Sequence, residues 1–453
     1  MFNRVLVANR GEIAVRVIRA LHELGVEAVA VHSTADEDSL HVRLADRSVR
    51  IGPPAAAESY LNAQALVAAA ETTGCEAVHP GYGFLSENAD FVRACEENDL
   101  VFIGPPADVM ERMGDKARAK AEMRAAGVPL VPGTEGTASI DEARAAADDL
   151  GFPVLLKAAA GGGGKGMRIV TEPETLHESY ERAAAEAQAA FGDGTLYVEK
   201  VITPARHVEI QVLCDQHGNV LTCGERECSI QRRHQKLIEE SPSPALDDEL
   251  REEMEAAAER ACHHIGYRNA GTFEFLIGPD GSFSFIELNA RLQVEHPVTE
   301  LVTGLDIVRE QIRIAAGERL AHGGRAGPRS GHAIELRINA EDPARGFAPA
   351  PGRIERFRPP LGPGVRVDTF VEEGTTITPY YDSLIAKLIV VDASRPLAIE
   401  RARRALRELE LEGVATTRDV LHDILDSDEF RSGEYFTSFL EEAGARLPAL
   451  AGA

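Results

Sequence analysis

The chain has 453 residues, 44% of them hydrophobic and 27% charged, with a formal charge of −25. Such a length and balance predict a globular protein of several domains, each roughly 100–200 residues. The acidic charge excludes a broad electrostatic grip on nucleic acid or an anionic membrane, so any anionic ligand must be held by local basic clusters. Tryptophan is absent and the six cysteines form no C-x-x-C pair. No apolar run reaches the about 18 residues of a membrane span. A reduced, cytoplasmic protein without nucleic-acid or membrane partners is expected.

RVLVAN opens as a short strand, GEIAVRVIRALHELG follows at helical spacing and ends in Gly25, and EAVAVHS is a second strand. CEAVHPGYG and LVFIGPP repeat the strand-then-turn pattern. An open parallel α/β domain is predicted over 1–113. Its first turn, ANRGE, holds one glycine and lacks the dinucleotide fingerprint. A second block, 114–203, carries two helices (DKARAKAEMRAAG and SIDEARAAADDLG) and strands on both sides of a glycine run. The third, 204–330, opens with the strand HVEIQVLCD, and AHGGRAGPRSGH at 321–332, rich in Gly, Pro and Ser and without periodicity, reads as a connector. In the last block, 331–445, strands dominate from 333 and are followed by helical patterns at 396–411 and 417–426. The whole reads as α/β and α+β.

The glycine run sits in KAAAGGGGKGM, 157–167. Gly161, Gly163 and Gly166 spell G-x-G-x-x-G, and Gly164-Lys165 mimics the end of a Walker A loop. A dinucleotide loop must open a helix, but MRIV, a strand pattern, follows here. Walker A needs Ser or Thr after the lysine, and here Gly166 follows. Strand–glycines–strand describes a hairpin with a mobile tip that can cover nucleotide phosphates. Lys157, on the entering strand, supplies a point charge.

GTFEFLIGPDGSFSFIELNAR reads as two alternating strands around a Gly-Pro-Asp-Gly turn. With the turn at 278–281, Ile277 faces Ser282, Glu274 faces Phe285, and Glu287 is the diagonal neighbour of Glu274. Asn289 and Arg291 continue that face. Two carboxylates and an amide converge, a donor set suited to Mg²⁺ or Mn²⁺. Close by, RLQVEHPVTE places Arg291, Gln293 and Glu295. Upstream, QRRHQK concentrates Arg232, Arg233, His234 and Lys236, and Arg337 adds a cation on the strand AIELRINA. A second anion beside a nucleotide phosphate is the expected ligand.

ANRGEIAVR, HPGYGFLSEN, MGDK, the glycine loop, RHVEIQV, QRRHQK, GTFEFL, FIELNARLQVEHPVTE, RINAED and PYYDSLIAKLI together resemble the biotin carboxylase family of ATP-grasp enzymes, in the family's order and over nearly the whole chain. The resemblance implies an N-terminal α/β domain, a mobile glycine-rich lid domain and a C-terminal mixed β domain. It implies carboxylation of biotin borne on a carrier protein, with ATP and bicarbonate, as part of acetyl-CoA carboxylase or a relative. ATP is then held by Lys116, Lys157, Gly163, Gly164, Glu199, Lys200, Val201, Ile202, His207 and His234, with Leu276 near the adenine. Glu274, Glu287 and Asn289 bind two divalent ions, Mg²⁺ or Mn²⁺. Lys236, Arg291, Gln293 and Val294 (through its backbone) hold bicarbonate, and Glu295 is the general base. Arg337 faces the biotin ureido oxygen, with Tyr82 and Gly83 near the ring. Arg16 and Glu23 match positions at the family's dimer interface, which implies a homodimer. Ala160 departs from the family by standing where its glycine run often begins.

No methionine sits in the Ala-Met-Lys-Met context of a biotinylated lysine. A stand-alone subunit served by a separate biotin carboxyl carrier protein and carboxyltransferase is therefore expected. Stiffening Gly163 or Gly164 to alanine should impair ATP-dependent turnover while leaving the fold intact. Steady-state turnover alongside circular dichroism checks this, and unchanged turnover reduces the run to a linker.

Overall fold

The computed structural model describes residues 1–134, 139–159, 167–321, 323–327 and 329–450. The glycines of the run, Gly163 and Gly164 among them, lie outside the described residues.

β1 (Arg4–Val7), β2 (Glu27–Ser33), β3 (Arg47–Gly52), β4 (Ala77–His79) and β5 (Val101–Phe102) form a parallel sheet in the order β3-β2-β1-β4-β5. Val5 and Val7 pack into one cluster with Ile13, Val17 and Leu21 of helix α1 (Gly11–Glu23). Leu6 points the other way, toward Leu66 and Phe91. Helices thus cover both faces, the usual condition for a parallel sheet. Helix α1 ends as expected, with Gly25 at φ +72°.

β6 (Val154–Ala158), β7 (Met167–Val170) and β8 (Leu196–Lys200) make a small antiparallel sheet, β7-β6-β8. Helices Ile140–Leu150 and Leu176–Phe191 bury its apolar side chains. A capping box between Ser139 and Glu142 starts the first of these helices. β7 follows the glycine run and pairs antiparallel with β6, Lys157 opposite Met167. The segment after the glycines is therefore a strand, which removes the dinucleotide reading.

A larger, mostly antiparallel sheet holds the remaining chemistry. Its strands include β9 (Arg206–Cys214), β10 (Val220–Arg232), β11 (Gln235–Ser241), β12 (Asn269–Ile277), β13 (Phe283–Asn289), β14 (Gly324–Arg325) and β15 (His332–Asn339). The order is β13-β12-β9-β10-β11-β15, continued by the strands Leu384–Asp392 and Val365–Thr369. Pairing of β11 with β15, Ile238 opposite Leu336, carries the sheet straight across residue 330. On one face Val208, Ile210, Val212, Phe273 and Phe275 pack against Met254, Ala257 and Ala261 of helix Asp248–Ile265. The alternation of a strand then places His207, Glu209 and Gln211 on the opposite face.

Two expectations need correction. The segment 321–332 contains β14, which pairs parallel with β10 at Leu221 and Thr222. A two-residue strand has no periodicity to read. Arg325 and Arg329 anchor it to Glu255 at 3.1 and 2.8 Å. The β12–β13 hairpin is also offset from its predicted register. Its turn includes Ser282, with Gly278 N–H donating to Ser282 O at 2.8 Å, so Ile277 faces Phe283. A β-bulge between Glu274 and Phe275 then shifts the register again. One shift alone would turn every side chain to the wrong face, and two restore it. Glu287 ends directly opposite Glu274, not diagonal to it.

Candidate active site

Register builds the site. Arg226 on β10 pairs with Glu209 on β9, Glu209 with Glu274 on β12, and Glu274 with Glu287 on β13. Paired residues of antiparallel strands share a face, so these four side chains form one row. Arg226 is fully buried. Its guanidinium donates to Glu209, to Gln211 Oε1 at 2.7 Å, to Thr299 Oγ1 at 3.0 Å and to Thr272 Oγ1 at 3.1 Å. Every donor it turns toward the row therefore has an acceptor.

Lys236, on β11, reaches over the row. Its ammonium donates to Glu209 Oε2 at 2.6 Å, Glu274 Oε1 at 3.0 Å and Glu295 Oε1 at 2.5 Å. Glu295 is completely buried at the start of helix His296–Thr303. Its second oxygen accepts from Arg337 at 2.8 Å, and Arg337 Nε donates to Glu239 Oε1 at 2.6 Å. Burial alone would push the Glu295 carboxyl up. Lys236, Arg337 and Arg226 outweigh that and hold it well below the usual carboxylate range. Glu239, buried beside the same guanidinium, is pushed up to about 7 by its own burial.

The other expected groups close around Glu274. Asn289 Nδ2 and Gln293 Nε2 both donate to its Oε1, at 2.9 and 2.8 Å, and His207 Nε2 lies 3.0 Å from its Oε2. Burial lowers the proton affinity of His207, and Glu274 more than restores it. Arg291 donates to Asn289 Oδ1 at 2.8 Å and to Glu87 Oε2 at 2.8 Å. The Glu287 carboxylate has no hydrogen-bond or ion-pair partner among the described residues. An exposed carboxylate opposite a buried one, with an amide oxygen nearby, is an all-oxygen donor set that fits Mg²⁺ or Mn²⁺.

Along the cleft, Lys157 on β6 lies 3.8 Å from Glu199 on β8, and Lys120 contacts the same carboxylate. Burial, with Lys157 nearby, lowers the proton affinity of Lys116. Lys200 is turned aside, because adjacent strand residues alternate. Its ammonium donates to Gly151 O at 2.8 Å and Phe152 O at 3.4 Å. Val201, Ile202 and Leu276 are half-buried near this end.

The basic stretch does not gather as one cluster. Arg233 and His234 are exposed at the β10–β11 turn, at φ +47° and +66°. Positive φ at both turn positions matches the tight hairpins that normally use Asn-Gly. Arg232 donates to Gly346 O at 2.6 Å and lies over Phe347, so Lys236 alone enters the site. Tyr82 donates its hydroxyl to Glu12, and Gly83 is exposed at φ +68°. Arg16 finds Asp306 at 2.6 Å and Glu300 at 2.9 Å, and Glu23 lies 3.6 Å from Arg309, all within the chain.

Sequence reasoning missed Glu209, Arg226 and Glu239. The first was within reach, since His207, Glu209 and Gln211 alternate on β9 just as Glu274 does on β12. Arg226 and Glu239 carry no local signal, because their roles depend on which strands become neighbours.

Replacing Lys236 by methionine leaves Glu209, Glu274 and Glu295 without their shared cation. Removing one partner of a buried ion pair costs about 3–5 kcal/mol. With a depressed folded-state pKa, Glu295 contributes stability above its unfolded value of about 4.3. That contribution fades as pH falls through the folded value. In Lys236→Met the folded value rises, so the deficit against wild type should be full at pH 7 and shrink as pH falls below about 4.3. Urea denaturation across this range measures it, and a pH-independent deficit contradicts the assignment.

Sequence-family profiles match the chain in three consecutive stretches. These are "Biotin carboxylase, N-terminal domain" at 1–110, "Carbamoyl-phosphate synthase L chain, ATP binding domain" at 115–323 and "Biotin carboxylase C-terminal domain" at 335–442. The biotin carboxylase of Nostoc sp. is 53% identical, covering 97% of this chain and 99% of its own. A pyruvate carboxylase component of Methanothermobacter thermautotrophicus is 51% identical, covering 98% and 90%. The structure also superposes on the biotin carboxylase domain dimer of Hydrogenobacter thermophilus 2-oxoglutarate carboxylase, solved with MgADP, ADP and bicarbonate. That match has a TM-score of 0.93, 51% identity and 98% coverage of both chains. The Campylobacter jejuni biotin carboxylase–β-γ-ATP complex gives 0.94 at 46% identity, covering 98% of this chain and 99% of the other. With that identity along its whole length and an ATP-grasp fold, the chain belongs to the biotin carboxylase family of ligases.

Proposed function

We propose that this protein carboxylates the biotin of a separate carrier protein, as the first half-reaction of an acetyl-CoA or related acyl-CoA carboxylase that feeds fatty acid synthesis. The observation that carries the chemistry is Glu295, gripped between Lys236 and Arg337 in one buried pocket. The acetyl-CoA assignment draws on relatives named for the half-reaction alone, such as that of Nostoc. The pyruvate and 2-oxoglutarate carboxylase relatives would perform the same half-reaction, so the acceptor is chosen by the carboxyltransferase partner. Domains at 1–113, 114–203, 204–330 and 331–445, a cytoplasmic location and a homodimer complete the reading. Among the described residues no helix is long and apolar enough to cross a membrane.

In this reading Lys116, Lys157, Glu199, His207 and Leu276 contact ATP. Divalent ions held by Glu274, Glu287 and Asn289 neutralise phosphate charge when bound. Bicarbonate sits against Lys236, Arg291, Gln293 and the backbone of Val294. In the free site Glu295 is too well compensated to be a strong base. A bicarbonate anion that shares Lys236 and Arg291 weakens that compensation, and its own charge raises the proton affinity of Glu295. The base therefore becomes competent when its substrate arrives.

Glu295 takes the bicarbonate proton and the freed oxyanion attacks the γ-phosphorus, releasing ADP and forming carboxyphosphate. This anhydride splits into CO₂ and phosphate. Phosphate accepts the ureido N–H proton, and the ureido nitrogen adds to CO₂. Arg337 stabilises the charge that develops on the ureido oxygen. Tyr82 and Gly83 stand near the biotin ring.

ADP release should require bicarbonate and rise when biotin is added. Glu295→Gln should lower the biotin-dependent rate by about 10²–10⁴-fold, and Arg337→Ala by about 10²–10³-fold. Coupled ADP release measures all three, and indifference to both bicarbonate and biotin overturns the reading.

A further inference from the structure

Two cations stand side by side on one face of neighbouring strands. Arg337 on β15 pairs in register with Lys387 on the strand Leu384–Asp392. Arg337 holds the Glu295 carboxylate, and Lys387 donates to the carbonyl of Val294, the residue before it, at 2.9 Å. Consecutive residues of the bicarbonate turn are thus gripped from one sheet face, one by its side chain and the other by its backbone.

Lys387 is fully buried, so in this conformation it meets no substrate. An ammonium in that position is costly unless its donors and charge are matched. Glu12 Oε1, from helix α1, lies 3.2 Å away, and Asp368 Oδ2, from the strand Val365–Thr369, lies 3.9 Å away. Glu335 on β15 and Arg366 complete the charges that it faces. Glu12 also accepts the hydroxyl of Tyr82. An unbroken chain of contacts therefore runs Tyr82–Glu12–Lys387–Val294.

We infer that Lys387 is a positioning residue for the reaction: it fixes the peptide between Val294 and Glu295 and ties it, through Glu12, to the tyrosine beside the biotin pocket. This inference rests on the reading of Val294 and Glu295 as the bicarbonate turn and of Tyr82 as a biotin contact. The Val294 carbonyl and the Glu295 N–H belong to one peptide plane. Rotation of that plane re-aims the base, and small misplacements of a catalytic group carry large rate penalties. ATP binds against other strands and is not held by Lys387.

The test is steady-state ADP release by full-length Lys387→Met, with bicarbonate and ATP varied separately. Bicarbonate KM should rise about tenfold or more, with ATP KM within about twofold. Lys387→Arg, which restores a cationic donor, should recover part of the loss. Glu12→Gln, which keeps the shape of the side chain, should raise bicarbonate KM in the same direction and keeps the test decisive if Lys387→Met fails to fold. Unchanged bicarbonate KM in folded Lys387→Met, or in Glu12→Gln, overturns the inference even if melting temperatures fall. Wild-type enzyme whose ADP release ignores bicarbonate would overturn the carboxylase reading itself, and this inference with it.

Discussion

Four charged side chains, Arg226, Glu209, Glu274 and Glu287, stand in register across adjacent strands of one sheet. Like charges in such a row repel, and burial makes the repulsion worse. Arg226 neutralises one end from inside the protein. Lys236 crosses the middle and ties the row to Glu295. The far end, at Glu287, is left open to solvent. The row is therefore short of positive charge at its exposed end, a setting that suits a divalent cation.

The same electrostatics decide the state of the base. Glu295 is paired twice, by cations from two different strands, and this keeps it ionised in the free protein. Such tight pairing makes Glu295 a weak base while both cations hold it. In the proposed reaction bicarbonate, an anion of similar size to a carboxylate, is suited to share Lys236. The sheet makes the double pairing possible by running through residue 330, so that Arg337 and Lys387 from the later part of the chain reach a turn that follows β13.

Much of this was legible in the sequence. Strand–helix alternation in the first hundred residues gave the parallel sheet, and MRIV after the glycines identified a strand pair and not a helix. The carboxylates of GTFEFL and FIELNAR lay on one face, as period two requires. Their register was not legible, because a longer turn and a bulge shift it twice, and neither leaves a compositional mark. The QRRHQK stretch looked like a unit, yet its tight turn at Arg233 and His234 sends only Lys236 inward. Arg226, Glu239 and Lys387 were invisible for a further reason. Their meaning lies in cross-strand pairing between distant segments, which no local window contains.

The protonation of Glu295 in the ligand-free protein tests the charge arrangement most directly. Isotope-edited infrared spectroscopy, with Glu295→Gln as the difference reference, resolves its carboxylate band as pH is lowered. The band should persist below the ordinary glutamate pKa of about 4.3, because Lys236 and Arg337 hold the anion. Loss of the band at or above that value would contradict the double pairing on which the site depends.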